Sequence, residues 1–273
     1  MGGRHLLVTG LSGTLGPRLA ARARAAGWRV SGWDRRVVPA DDGAAARDEL
    51  LRLQPDAIAH LAIGSAAWAA LLARHARERA IRLVFTSTAM VFDHVPDGPH
   101  DVAALRNARD DYGRGKIACE DAILAAHPQA SIARLGWQID ERATGNNMLA
   151  ELDRRQARDG RVVASARWTP ACSFMDDTCA ALLELVEGER RGVVHLDANA
   201  SEAWTFDQVV TALGTRFSRD WVVEVDRGEA AHAHDQRLVG DEVALPPLSA
   251  RLPGLLAWPL PGRVGGAFAR EGE

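Results

Sequence analysis

The 273-residue sequence predicts an α/β fold in which a doubly wound parallel sheet carries a smaller C-terminal lobe. Two observations support this prediction. Short apolar runs alternate with helical segments over roughly the first 140 residues, and the first run ends in a glycine-rich loop. Beyond that point the alternation loosens, and five prolines between positions 246 and 261 interrupt an irregular tail.

The individual elements follow from local patterns. Continuous apolar runs are typical of parallel strands buried on both faces, and helical segments between them form the right-handed crossovers that parallel strands need. Strands are predicted at Arg4–Thr9, Trp28–Trp33, Asp56–Leu61, Arg82–Ser87, Ser131–Leu135, Arg161–Ala164 and Val193–Leu196. Helices are predicted at Thr14–Ala26, Asp48–Leu53, Ala66–Arg79, Asp111–Ala126, Asn146–Arg158, Asp176–Glu187 and Thr205–Leu213.

Composition excludes several classes of partner. The net charge is −3, from 33 basic and 36 acidic residues, and no basic run predicts a nucleic-acid surface. No apolar stretch approaches the roughly 20 residues that span a bilayer. Cys119, Cys172 and Cys179 form no CxxC pair, which favours buried, reduced thiols in a cytoplasmic protein. We expect a small-molecule carbonyl substrate and no membrane or nucleic-acid partner, with a homodimer left open.

The glycine loop Gly10-Leu-Ser-Gly13-Thr-Leu-Gly16 lies between the first strand and the first helix. In this setting the three glycines allow a tight turn, a close approach of the backbone to pyrophosphate, and close packing of helix on strand. Amide groups at the start of the helix favour an anion. The pattern predicts a Rossmann-type dinucleotide site; a glycine-rich turn without a ligand is the alternative.

The residues after the second strand give conflicting indications about the cofactor. Asp34 could accept hydrogen bonds from the adenosine ribose, which favours NAD. Arg35 and Arg36 could pair with a 2′-phosphate, which favours NADP, or could be solvated surface charges. The sequence therefore predicts NAD(P)H without choosing between its two forms.

Tyr112 and Lys116 are the only tyrosine and the only lysine of the chain. At this spacing the two side chains share one face of a helix. A phenol has a pKa of about 10, and a neighbouring ammonium favours the phenolate. We therefore expect Lys116 to lower the pKa of Tyr112 and so suit it to proton transfer. No metal is predicted to take part.

Thr86, Ser87 and Thr88 lie at the carboxyl end of the Arg82–Ser87 strand. Ligands of open α/β sheets bind at such strand ends, and a hydroxyl there can stabilise charge developing on a carbonyl oxygen. Turn or cap residues are the structural alternative. The pattern makes these three hydroxyl residues candidates for the third catalytic group.

These motifs resemble the extended short-chain dehydrogenases/reductases, and most closely their dTDP-4-dehydrorhamnose reductase group. The resemblance covers roughly residues 4–215. It is carried by the glycine loop and by the segments Pro55–Ala62, Thr86–Asp93, Tyr112–Glu120 and Phe174–Asp177, with Arg134 on the following strand. It implies a reductase that transfers hydride from NAD(P)H to a nucleotide-linked 4-keto-6-deoxy sugar, with Thr88, Tyr112 and Lys116 as the catalytic set.

The resemblance and the motifs together define the expected site. Residues 1–140 and 172–198 are expected to form the dinucleotide-binding domain, and residues 141–171 and 199–273 the substrate-binding lobe. The cofactor residues expected are Gly10, Ser12, Gly13, Thr14, Leu15, Gly16, Asp34, Arg35, Arg36, Leu61, Ala62, Ile63, Thr86, Ser87, Tyr112, Lys116 and Leu135. The substrate residues expected are Thr88, Met90, Val91, Trp137, Asn147 and Trp168.

Other interpretations stay open at this point. A ketoreductase of a non-sugar carbonyl, a sugar epimerase and a non-catalytic NAD(P)-binding homologue would each keep much of the same pattern. His232-x-His234-Asp235 lacks a third ligand at zinc spacing and is predicted to be a solvated loop. His60 is predicted to be packed at a strand end rather than to act as a base.

Overall fold

A six-stranded parallel sheet forms the centre of the protein, and the computed structural model describes residues 3–142, 145, 147–240, 243 and 245–259. The strands are β1 His5–Thr9, β2 Arg29–Gly32, β3 Ala57–His60, β4 Arg82–Thr88, β5 Ser131–Leu135, β6 Trp137–Ile139, β7 Val162–Ser165, β8 Trp168–Thr169, β9 Cys172–Phe174, β10 Gly192–Leu196, β11 Val223–Asp226 and β12 His234–Asp235. The helices are α1 Gly16–Ala25, α2 Gly43–Leu53, α3 Ala66–Glu78, α4 Asp111–Ala126, α5 Met148–Asp159, α6 Met175–Glu187, α7 Phe206–Arg216 and α8 Leu248–Arg251.

The strand order of the central sheet is β2-β1-β3-β4-β5-β10, and every neighbouring pair is parallel. The chain moves outward from β1 to β2 and then returns to the other side of β1 for β3. The order therefore reverses between β1 and β3. In open α/β sheets this reversal creates a crevice outside the carboxyl ends of the strands, where ligands bind. The predicted doubly wound Rossmann-type sheet is confirmed.

The core lies on both faces of this sheet because its inner strands are buried on both sides. Leu6 and Val8 of β1 are fully buried against α1 and α6, whereas Leu7 between them is buried among residues of α2, α3 and α4. Successive side chains of a strand point to opposite faces. Burial on both sides holds the strand ends at fixed positions, and the candidate site lies at those ends.

A separate apolar cluster lies in the C-terminal part of the chain and includes buried residues of α5, α7 and α8, with Trp204 completely buried. Three short parallel pairs lie outside the central sheet: β6 with β9, β7 with β11, and β8 with β12. The pair β8–β12 places Trp168 beside His234. The precise lobe boundaries stay a prediction.

The structure differs from the sequence-based expectation in several elements. Helix α2 begins at Gly43 rather than Asp48, because the Asp42 carboxylate accepts hydrogen bonds from the amides of Ala44 and Ala45 at 3.1 and 3.0 Å. The short strands β6, β8, β9, β11 and β12 were not predicted, since runs of two to four residues carry no clear period. Asn146 and the tail from residue 260, which includes Pro261, lie outside the described residues.

Within the described ranges, no helix is both long enough and apolar enough to cross a bilayer.

Candidate active site

A cleft of about 820 Å³ opens at the carboxyl ends of the central strands. It brings together most of the residues that the sequence indicated. The predicted residues that line it are Gly10, Ser12, Gly13, Thr14, Leu15, Gly16, Arg35, Leu61, Ala62, Ile63, Thr86, Ser87, Thr88, Met90, Tyr112, Lys116, Leu135, Trp137 and Trp168. Four predicted residues, Asp34, Arg36, Val91 and Asn147, are not among its lining residues.

The glycine loop forms one wall and needs its glycines for steric reasons. Gly10 has a φ of +76°, which favours glycine, and its carbonyl accepts a hydrogen bond from the Gly13 amide at 2.9 Å. A Cβ atom on Gly10 would lie 3.0 Å from the Ala62 amide nitrogen. A Cβ atom on Gly16 would collide with the Gly10 carbonyl oxygen. Neither Gly10 nor Gly16 therefore has room for a side chain.

A buried hydrogen-bond network holds the facing turn in place. The Thr9 hydroxyl lies 2.7 Å from His60 Nδ1 and accepts hydrogen bonds from the amides of Leu61 and Ala62, both at 3.1 Å. Complete burial lowers the pKa of His60 to about 3, so its imidazole stays neutral. His60 is therefore packed at a strand end, as predicted, and it supports the cofactor side of the cleft.

The three charged residues after β2 divide into two groups. Arg36 forms an ion pair with Asp34 at 3.2 Å, and this contact lowers the pKa of the Asp34 carboxyl. Arg35 points elsewhere: its guanidinium donates to the Ile63 carbonyl at 3.0 Å, and it lines the cleft. Arg35 is thus the cation of this group that faces the candidate ligand, while the Asp34 carboxylate is already paired.

The predicted catalytic side chains meet in the middle of the cleft. Tyr112 and Thr88 both line this space, and the Thr88 side chain is close enough to Tyr112 to lower the pKa of its phenol. The Lys116 ammonium donates to the Thr86 carbonyl at 2.7 Å and lies 4.6 Å from the Phe85 ring centre and 5.9 Å from that of Tyr112. Helix α4 and strand β4 therefore present a phenol, a hydroxyl and an ammonium to one space.

The electrostatics correct one prediction. Burial raises the pKa of Tyr112, and the Asp110 carboxylate raises it further, although the hydrogen bond with Thr88 lowers it. The predicted lowering of this pKa by Lys116 is wrong for the protein alone, because desolvation of the phenolate is the largest effect. Burial also lowers the pKa of Lys116 to about 8. Tyr112 is therefore in its protonated, donor form at neutral pH.

Helix α4 is fixed by contacts at its start and along its buried face. The Asp110 carboxylate caps it by accepting a hydrogen bond from the Gly113 amide at 2.8 Å. Glu120 on the same helix is fully buried and pairs with Arg134 on β5 through two hydrogen bonds of 3.0 and 2.9 Å. Arg106 adds a contact of 3.1 Å to Glu120. These bonds set the position of Tyr112 and Lys116 relative to the sheet.

Replacing Glu120 by glutamine should therefore lower the free energy of unfolding by about 3 kcal/mol, because the Arg134 charge would stay buried without its partner. Asp121→Asn is the matched control: its only described ion pair, with Arg106, involves an exposed carboxylate, and such pairs contribute at most about 1 kcal/mol. Urea unfolding of both variants measures the difference. Equal losses would contradict the role of the buried pair.

Another part of the wall contains residues that the sequence did not single out as binding residues. It includes Phe92, Asp93, His94, Gln138, His232, His234 and Gln236. His234 is 5% exposed and belongs to β12, so the prediction of a solvated loop is wrong at this residue. The pairing of β12 with β8 buries it, and that pairing involves residues far apart in the chain.

Only some of the substrate residues predicted by resemblance line the cleft. Trp137 and Trp168 stack near each other at 6.3 Å between ring centres and line the cleft. Asn147 is fully buried at the start of α5, where its side chain accepts a hydrogen bond from the Ala150 amide at 3.1 Å. Val91 is also fully buried. Asn147 and Val91 therefore do not line the cleft, whereas the two tryptophans do.

The cleft fits a dinucleotide cofactor. The glycine loop leaves space that a side chain would fill, next to the start of α1. The Ser87 hydroxyl lines the cleft, is buried, and has no hydrogen-bond partner within the described part of the protein. Buried hydroxyl groups are normally satisfied, so this one is available to a bound molecule.

Comparisons with known proteins agree with this arrangement. A family model described as the RmlD substrate binding domain matches residues 63–216, and one described as the NAD dependent epimerase/dehydratase family matches residues 6–71. A dTDP-4-dehydrorhamnose reductase from Mycobacterium tuberculosis is 30% identical over 229 residues, which cover 76% of this chain and 75% of that protein. One from Mycolicibacterium smegmatis is 35% identical over 128 residues, 46% of this chain and 38% of that protein.

The fold has solved counterparts. The crystal structure of a dTDP-4-dehydrorhamnose reductase from Bacillus anthracis in complex with NADP superposes with a TM-score of 0.76, covering 92% of this chain and 97% of that one, at 17% identity. At this identity the likeness supports the fold alone, whereas the family model extends over more than half of the sequence. The chain belongs to the dTDP-4-dehydrorhamnose reductase group of the extended short-chain dehydrogenases/reductases, a family of NAD(P)-dependent oxidoreductases.

Proposed function

We propose that this protein reduces the ketone of a nucleotide-linked 4-keto-6-deoxy sugar with NAD(P)H, using Thr88, Tyr112 and Lys116. One observation carries the proposal: a single cleft contains the glycine loop together with the hydroxyl groups of Thr88 and Tyr112 and the buried ammonium of Lys116. The substrate class is supported by the relative from M. tuberculosis, whose name gives a dTDP-linked keto sugar as its substrate.

The roles of the residues follow from their positions. The bound cofactor supplies the hydride chemistry that no side chain can provide. The amides of the glycine loop hold pyrophosphate, and Ser87 offers its unpaired hydroxyl to the bound molecules. Thr88 donates a hydrogen bond to the carbonyl oxygen. Tyr112, protonated at neutral pH, donates its proton to that oxygen as negative charge develops there. The Lys116 ammonium stabilises the charge left on the phenol.

The proposed reaction consumes the cofactor, which gives a direct test. Incubation with NADPH and a dTDP-linked 4-keto-6-deoxy sugar should oxidise one cofactor for each ketone reduced, followed by absorbance and by chromatography of the sugar. An epimerase would instead interconvert sugars with tightly held NAD and no net oxidation. Conversion without consumption of NADPH, or reduction restricted to ketones that lack a nucleotide, would refute the proposal.

Arg35 should make the enzyme prefer NADPH to NADH, because it faces the cleft while Arg36 neutralises Asp34. A charge-assisted hydrogen bond to phosphate contributes about 1.5–3 kcal/mol. We expect Arg35→Ala to weaken NADPH binding by at least about tenfold and to leave NADH binding nearly unchanged. Fluorescence titration with both cofactors measures this. Equal weakening for both would show that Arg35 does not recognise the 2′-phosphate.

A further inference from the structure

Part of the cleft wall is built from imidazoles. His94, His232 and His234 all line the cleft, and the ring centre of His234 lies 6.3 Å from that of His94 and 6.1 Å from that of His232. His94 and His232 are exposed to solvent, whereas His234 is buried. The Nε2 atoms of His234 and His100 lie 3.3 Å apart, which ties His234 to the loop that also carries His94. Two accessible imidazoles therefore flank one held in place.

This part of the cleft lacks the permanent cations that usually bind phosphates. Among the described residues that line the cleft, the only arginine and the only lysine are Arg35 and Lys116. Arg35 is bound to the Ile63 carbonyl beside the glycine loop, and Lys116 to the Thr86 carbonyl. A nucleotide-linked sugar nevertheless brings a diphosphate with about two negative charges. The histidines are the cleft residues left to neutralise it.

Charged groups from several segments of the chain surround this cluster. Burial and then the neighbouring His94 lower the pKa of His232, and burial and then His100 lower that of His234 to about 4. The Asp93 carboxylate contacts His94 at 2.7 Å but is shared with Arg109 at 2.5 Å. The other charged groups near the cluster are Asp97, Asp101 and Asp235, the last paired with Arg237.

A bound anion would favour the protonated form of an imidazole beside it. An opposite charge within about 4–6 Å raises the pKa of an imidazole by about 1–3 units. Solvent reaches the exposed His94 and His232, whereas the buried His234 stays a neutral hydrogen-bonding group. A metal ion is not indicated, because the described residues contain no group of three ligands arranged to hold one.

We propose that His94 and His232 bind the diphosphate of the nucleotide-linked substrate and take up a proton as they do so. This inference rests on the proposed function. It predicts that affinity for the substrate weakens as the pH rises. If binding takes up one proton, the affinity falls as the pH rises above the pKa of the imidazole in the free protein. The largest expected fall is about tenfold for each pH unit.

The test uses dTDP as the probe and the whole protein. Calorimetric titrations at pH 6.5 and 8.0, each in two buffers of different ionisation enthalpy, measure affinity and proton uptake together. We expect dTDP to bind about tenfold more weakly at pH 8.0 and to take up close to one proton near pH 7. Thymidine, which has no diphosphate, should show neither effect. Binding of dTDP without proton uptake would overturn the proposal. Loss of dTDP binding on addition of EDTA would also overturn it.

Three variants and one control test which residues cause the pH dependence of dTDP binding. His232→Gln and His94→Gln should weaken dTDP binding at pH 6.5 by about tenfold and flatten its pH dependence. His232→Arg, which supplies a permanent charge, should restore binding and keep it constant between the two pH values. His127→Gln, at the far end of α4, is the matched control and should behave like the unaltered protein. An unchanged pH dependence in both glutamine variants would overturn the proposal.

These results are separable from the proposed function. Binding of NADPH, measured in parallel, shows that each variant is folded. If the nucleotide sugar is reduced but its KM is independent of pH and of His94 and His232, only the histidine assignment fails. If dTDP and the nucleotide sugar do not bind the unaltered protein at any pH, the proposed substrate class fails as well.

Discussion

Replacing Tyr112 by phenylalanine is expected to lower the rate of ketone-dependent NADPH oxidation by about 10²–10⁴-fold, the usual contribution of a positioned general acid. The variant removes one hydroxyl group and keeps the ring. In the structure that hydroxyl lies in the same cleft as Thr88, and it is the only phenol of the sequence. The Lys116 ammonium donates to the Thr86 carbonyl. Initial rates with saturating substrate measure the loss.

The control for this variant is cofactor binding, because the phenol hydroxyl is not needed to hold the pyrophosphate. The affinity of Tyr112→Phe for NADPH should stay within about twofold of the unaltered protein, and its thermal midpoint should change little, since Tyr112 is partly exposed. Loss of kcat with unchanged cofactor affinity identifies a catalytic residue. A variant that turns over at the normal rate would disprove the proposed mechanism.

Gly16→Ala is expected to weaken NADPH binding by about 10–100-fold. The added methyl group would collide with the Gly10 carbonyl oxygen and would lie 2.9 Å from the Cα atom of Leu11, so the loop would have to move. Forcing an extra carbon into a packed site costs about 1–3 kcal/mol, and each 1.4 kcal/mol is a factor of about ten in affinity. The loop amides would then no longer point at the pyrophosphate.

Gly43→Ala provides the matched control for this change. Gly43 is also the first residue of a helix, but a Cβ atom there would meet only the Leu71 side chain, at an ordinary 3.8 Å. This variant should bind NADPH as the unaltered protein does and should be equally stable or slightly more so. Fluorescence titration and thermal unfolding compare the two. Normal cofactor binding by Gly16→Ala would contradict the assignment of the glycine loop.

Local patterns were enough to predict much of the fold and the centre of the site. Most strands of the central sheet contain a short apolar run, which is recognisable without knowledge of its neighbours. The glycine loop and the pair of Tyr112 and Lys116 are also local, because each lies within a single turn or helix. Thr88 could be predicted because parallel strands end at the same edge of a sheet. Four of the predicted binding residues, in contrast, do not line the cleft.

The missed features depend on contacts between distant segments. His94 and His232 approach the same site from loops far apart in sequence, and no spacing rule links them. Asp34 became a partner of Arg36 because of the turn that follows β2. The direction of the Tyr112 pKa shift was predicted wrongly because a sequence shows which charges are neighbours but not how much water the fold removes.

By itself the sequence determined the order of strands and helices, the glycine loop and the spacing of the phenol and ammonium, because these depend on periodicity and steric limits within a few residues. Only the tertiary structure decided which histidines, carboxylates and hydroxyls share the cleft, and which of them are charged there. The reason is that burial and pairing are set by segments that meet after long separations in the chain, and those two factors determine a side chain's electrostatic free energy.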